Sequence, residues 1–212
     1  MIPTALPQHE INILQGMLRD YANTMGFRDG LFHVEARMCN SSKHFVDTAG
    51  LVDLVPKPGG ARPEPDAFII RITPRALPME DINAVARAYG VSYRCLALMN
   101  AVGDRERMRA LAIPFVGGAQ YHLHIVSVLA QKGGVYRSGD VCTAILMHRP
   151  DLRENIVECS TCLRDGQEVA DPKLGASTLI AYFIVISRVS RREALEVGGK
   201  IKELVLEHTG QL

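Results

Sequence analysis

Two short segments alternate polar and apolar residues with a period of two: residues 30–37 (Gly-Leu-Phe-His-Val-Glu-Ala-Arg) and residues 66–75 (Asp-Ala-Phe-Ile-Ile-Arg-Ile-Thr-Pro-Arg). A strand sends successive side chains to opposite faces. His33, Glu35 and Arg37 therefore share one face of the first segment, and Arg71 and Thr73 share one face of the second. If the two strands meet, those faces build a charged site. Upstream, Ile11, Leu14, Leu18, Tyr21, Ala22 and Met25 recur at spacings of three and four. That period predicts a helix over residues 8–26, with Gly26 placed where a terminating glycine sits. Residues 40–44 read as a turn, residues 45–55 as a further strand or an irregular cover, and the Pro/Gly-rich residues 56–65 as a loop.

Past the second strand, Pro78, Glu80 and Asp81 suit the first turn of a helix, where proline fits and the helix dipole favours acids. That helix is expected to run to about Tyr89 and stop at Gly90. A further helix over residues 92–102 would carry Leu96, Leu98 and Met99 inward, followed by a turn or two over residues 105–111. Residues 115–119 read as a hinge, dividing the chain into 1–114 and 115–212. The second part is strand-rich. Residues 120–129 alternate Tyr121, Leu123 and Ile125 against His122, His124 and Val126, and residues 178–187 form a long apolar strand. Gly133-Gly134 marks a turn, Asp165-Gly166 a hairpin turn. Ser190 and Glu193 have capping-box spacing and open a final amphipathic helix to about His208. The order α, β, β, α, α, then mostly β, then α makes the fold class α+β.

Composition narrows the function classes. The chain has 212 residues, 47% hydrophobic and of net charge +1 with both signs interspersed. It can bury a core, and it carries no electrostatic footprint for nucleic acid or an anionic membrane. No apolar run approaches the roughly 18 residues of a membrane span, and the first ten residues lack signal-peptide order, so the expected location is cytoplasmic. Five cysteines fit reduced thiols better than a disulfide framework. Cys159 and Cys162 form a CxxC, but no second ligand pair stands at zinc-site spacing, and the motif lies in a strand-rich region rather than opening a helix. Ordinary thiols are the expectation there, with their role left open.

The helix, the two alternating strands around a proline loop, and the two following helices resemble the carboxyl-terminal core subdomain of an ATP-grasp enzyme, an antiparallel sheet with helices. Residues 119–209 resemble the small β-rich closing domain of the carnosine-synthase-like and L-amino-acid-ligase-like members. The family's metal-bearing strands read His-x-Glu and Glu-x-Asn-Pro-Arg. By that resemblance, Glu35 stands at the first acidic ligand and Arg75 at the terminal arginine. Arg71 replaces the second acid and Thr73 the asparagine.

Magnesium takes hard oxygen ligands, and a guanidinium places a permanent positive charge at a cation's position. The expectation is therefore no metal and no cofactor, with Arg71 paired to Glu35 across the strands. The family's upstream subdomain supplies the lysines and Gly-rich loop that hold ATP, and no phosphate-loop pattern replaces it here. ATP and magnesium would enter only through a complementing partner subunit. The expected function is metal- and ATP-independent chemistry, a cyclisation, isomerisation or hydrolysis, on a carboxylate-bearing small molecule. Catalytic candidates are His33, Glu35, Arg71 and Arg75; substrate-binding candidates are Arg37, Thr73, His122 and His124. The alternatives are the carboxyl-terminal part of an ATP-dependent carboxylate–amine ligase completed by another polypeptide, and a non-catalytic partner-binding protein. Apolar surface left without the rest of the ancestral fold is expected to pair two copies in a homodimer.

Overall fold

The computed structural model describes residues 1–27, 30–48, 51–59, 63–74 and 78–212. Its contacts divide the chain into two compact units. One holds residues 4–82 and 90–114; the other holds residues 1–3, 83–89 and 115–212.

The first unit begins with α1 (Gln8–Thr24), followed by Gly26 at φ 72°, a left-handed position that suits glycine. The apolar period locates this helix, but its one fully buried side chain is Glu10, while Tyr21 and Met25 of the expected apolar stripe stay exposed. A carboxylate is buried only if hydrogen bonds replace its water. Ser41 donates its hydroxyl to Glu10 at 2.7 Å, and Ser42 donates both its backbone N–H at 2.7 Å and its hydroxyl at 2.6 Å. Burial raises the Glu10 carboxyl, the serine hydrogen bonds outweigh it, and the net position is below the ordinary carboxylate value.

Strands β1 (His33–Cys39), β2 (Lys43–Thr48), β3 (Leu51–Pro56) and β4 (Asp66–Thr73) form two antiparallel pairs, β1 with β4 and β2 with β3. Residues 45–55 are thus mostly a hairpin rather than a single strand or cover, and Lys43 and His44 of the expected turn already belong to it. Helix α1 packs against β1 and β4. The four-helix count of this stretch is completed by α2 (Met79–Tyr89), which contributes residues to both units, α3 (Tyr93–Ala101) and α4 (Arg105–Leu111). Ser92 caps α3 and Asp104 caps α4 through their side chains.

In the second unit β5 (His122–Leu129), β9 (Leu179–Ser187) and β7 (Ile156–Thr161) form an antiparallel sheet in the order β5-β9-β7. The short strands β6 (Gly134–Val135) and β8 (Glu168–Val169) pair separately. One set of sheet side chains, including Val126, Val128, Phe183 and Val185, joins a core with Val197, Ile201 and Val205 of α6 (Arg191–His208). The alternate set, including Leu123, Ile125 and Ile184, clusters with Ala84 and Ala88 of α2. Central strand β9 is covered on both faces, which is why it reads as an apolar run. Full burial of one such side chain contributes about 1.5–3 kcal/mol.

Three features of this unit depart from the sequence expectation. Residues Val141–His148 form α5, capped by Asp140, and a 3-10 turn follows at Pro150–Asn155, in a region expected to be mostly strand. An eight-residue helix that is apolar nearly all round has almost no 3.6-residue signal. Asp165-Gly166 makes a turn but no hairpin, because β7 pairs with β9 whereas β8 pairs with β6. At α6, Ser190 accepts the Glu193 N–H at 3.1 Å as a capping box requires, but the Glu193 carboxylate takes the Ser187 hydroxyl, and Ser187 in turn accepts the Ser190 N–H at 3.1 Å. The reciprocal arm of the box is relayed through Ser187.

Helix α6 meets β5 at Gly198, where an added Cβ would stand 2.3 Å from His124 Nδ1 and 2.9 Å from a Val126 methyl. Gly198→Ala is expected to destabilise the protein by about 1–3 kcal/mol through overpacking. Adding His124→Ala should restore most of the loss in thermal denaturation; an unperturbed single variant would contradict this packing.

Candidate functional site

The register of β1 on β4 sets His33 opposite Thr73, Val34 opposite Ile72 and Glu35 opposite Arg71. Beyond Glu35 the register slips, so that Ala36 faces Ile69 and Arg37 faces Phe68. The extra residue, Ile70, is a bulge on β4, of the kind that re-aims side chains beside functional sites. Because cross-strand partners share a face, His33, Glu35 and Arg37 stand with Thr73, Arg71 and Phe68. Val34 and Ala36 stand with Ile72 and Ile69 on the other. The charged face anticipated from the period of two is formed.

At its centre Arg71 donates to the Glu35 carboxylate through a terminal guanidinium nitrogen. The Arg71 side chain is 51% exposed and that of Glu35 37%, so the pair is a half-solvated ion pair worth at most about 1 kcal/mol. Thr73 donates its hydroxyl to the His33 carbonyl at 3.5 Å. His33 Nδ1 is buried and has no hydrogen-bond partner among the described residues. Asp81, in the first turn of α2, feels His33: burial and Glu80 raise its carboxyl, and His33 draws it part of the way back. Asp81 is the acidic neighbour of His33 that the strand pattern did not reveal, since it reaches the site from a different element. Arg75 lies outside the described residues. Arg37 is exposed and has no ion-pair partner among the described residues.

His122 and His124 belong to β5 in the second unit. His124 lies against Gly198 of α6 with its Nδ1 buried, so this ring packs under a helix instead of facing an open pocket. His122 is half-buried opposite Ser187. The adjacent Tyr121, with Arg188 over its ring at 5.2 Å, lines a cavity of about 670 Å³ together with Arg87 and Glu154. The CxxC does not act as a pair either: the Cys159 thiol is hydrogen-bonded to Cys142 of α5, while exposed Cys162 donates to the Ser160 carbonyl at 3.8 Å. That hydrogen bond, followed by burial, pushes the Cys142 thiol well up. Sixteen residues of chain lie between Cys142 and Cys159, and no local spacing could have paired them. Among the described residues no group of three or more His, Cys, Asp and Glu side chains is placed to hold a metal ion.

Comparison with known proteins bears on this geometry. No protein-family model matches the chain. The chain is 38% identical over 208 residues to the ATP-grasp enzyme fsqD of Aspergillus fumigatus, an alignment that covers 96% of this chain and 36% of that enzyme. By sequence, the chain corresponds to part of an ATP-grasp protein. The fold agrees: an L-amino acid ligase from Bacillus licheniformis superposes with a TM-score of 0.62 at 13% identity, covering 95% of this chain and 41% of the ligase. The chain thus spans about a third of the ATP-grasp relative. No helix among the described residues is long and apolar enough to cross a membrane.

Proposed function

We propose that the β1–β4 face binds a carboxylate-bearing small molecule and carries out chemistry on it, a cyclisation, isomerisation or hydrolysis in small-molecule biosynthesis, without magnesium or ATP. The observation that carries this reading is the Glu35–Arg71 ion pair. A site for magnesium concentrates carboxylate and amide oxygens at about 2.0–2.1 Å from the ion. Here the two strands contribute one carboxylate, already paired with a guanidinium, and a threonine hydroxyl. That set does not fit magnesium, and no step is routed through the metal.

The same groups suit an organic anion. Arg71 has five N–H donors, of which Glu35 engages a fraction, so the guanidinium can hold a substrate carboxylate while Glu35 fixes its orientation. Arg75 is the second anion-holding candidate, and Arg37 and Thr73 border the face. His33 and Glu35 are the groups able to move a proton; Asp81 positions His33. His124 is a packing residue in this scheme, and His122 remains the β5 candidate. A second reading is favoured by the extent of the match: the chain covers 36% of an ATP-grasp enzyme, and as part of an ATP-dependent carboxylate–amine ligase it would work with a nucleotide site outside the residues described. Arg71 weighs against it, because a complemented ligase still needs its metal ligands.

Thermal-shift screening of small carboxylates in excess EDTA tests the first reading. Stabilising carboxylates are expected, with affinity falling about tenfold or more in Arg71→Gln. Binding that appears only on adding magnesium and ATP would contradict it. A homodimer is carried forward as part of this proposal, supported by exposed Phe68 and Ile70 on β4. Light scattering should give twice the chain mass, and a monomer at working concentrations would remove it.

A further inference from the structure

The first unit contains a cavity of about 560 Å³ lined by Arg37, Met38, Lys43, His44, Phe45, Leu54 and Lys57, among others. It is built where the end of β1 meets the β2–β3 hairpin. Glu10 anchors the intervening residues Ser41 and Ser42, so the loop that carries Lys43 and His44 is tied to α1. Lys57 closes the ring through its backbone N–H, which donates to the Ser42 carbonyl at 2.9 Å.

The charge of this cavity is one-sided. Among the described residues that line it, three side chains are permanent cations, a fourth is an imidazole, and none is Asp or Glu. Neither Arg37 nor Lys43 has an ion-pair partner among the described residues, and His44 Nδ1 is buried without a hydrogen-bond partner among them. Cations gathered in a concave, partly apolar site raise the local concentration of anions and bind multiply charged ones best. The remaining wall is apolar: Met38 and Leu54 are half-buried and Phe45 is 70% exposed at the rim.

From this we infer that the cavity is a binding site for an organic dianion with an apolar body, a phosphomonoester or a dicarboxylate, held by Arg37, Lys43 and Lys57 with His44 donating or accepting at its floor. A monocarboxylate would compensate only one of Arg37 and Lys43 and leave the other cation unmatched. The site is distinct from the Glu35–Arg71 pair, and Arg37 is the one side chain they share, so the inference stands whether or not that face is catalytic.

Calorimetric titration of the chain with phenyl phosphate, phenylsuccinate and benzoate tests it. Either dianion should bind about tenfold or more tightly than benzoate, with affinity falling as salt is raised. Preference for phenyl phosphate over phenylsuccinate identifies the phosphomonoester as the ligand class, and the reverse identifies the dicarboxylate. Lys43→Met and Lys57→Met, which leave the Glu35–Arg71 pair intact, should each weaken the preferred dianion about fivefold or more without changing the far-ultraviolet circular dichroism. Equal binding of all three probes, no binding, or binding indifferent to both lysine variants would overturn the inference. Loss of carboxylate binding in Arg71→Gln with dianion binding retained would separate this site from the one proposed above.

Discussion

The charged face of the first unit turns on the pairing of Glu35 with Arg71. Antiparallel register makes them direct neighbours, and the bulge at Ile70 confines the match to the end of the strands where the charged residues lie. One slip of register would turn Glu35 and Arg71 to opposite faces and leave each charge without its partner. The pair contributes little to stability because both side chains are half in water. In the function proposed above, its weight is in specifying what the face would bind: a carboxylate already matched by a guanidinium is a poor ligand for a divalent cation and a good orienter of that guanidinium toward an anion.

The scaffold around the pair explains why such a face can stand there. Helix α1 packs on β1 and β4 while its Glu10 spends its charge on Ser41 and Ser42, fixing the chain as it leaves β1. Because hydrogen bonds hold the folded-state carboxyl below its ordinary value, this anchor contributes stability above the unfolded-state value of about 4.3 and loses it as pH falls through the lower folded-state value. The second unit is organised differently, with a central strand covered on both sides and a helix brought close to β5 at Gly198.

Much of the fold was legible because its signals are local. Period-two alternation located β1, β4 and β5, an apolar run located β9, and glycines at left-handed positions such as Gly26 and Gly90 marked helix ends. Asp81 beside His33, Cys142 beside Cys159, and His124 beneath Gly198 were not legible, because each joins elements distant in the chain. Helix α5 was missed because an eight-residue helix that is apolar nearly all round looks like a buried strand. The Glu35–Arg71 contact was anticipated only because the family motif suggested that the strands are neighbours; the alternation alone left their pairing open.

We propose that the Arg71 guanidinium stands where the family places a metal ligand. Manganese binding followed by electron paramagnetic resonance tests it most directly, comparing the native chain with the double variant Arg71→Glu, Thr73→Asn. The account predicts no detectable binding by the native chain at about 100 μM manganese and measurable binding once the variant restores a second carboxylate and an amide oxygen. Binding by the native chain as tight as that of the variant would contradict it.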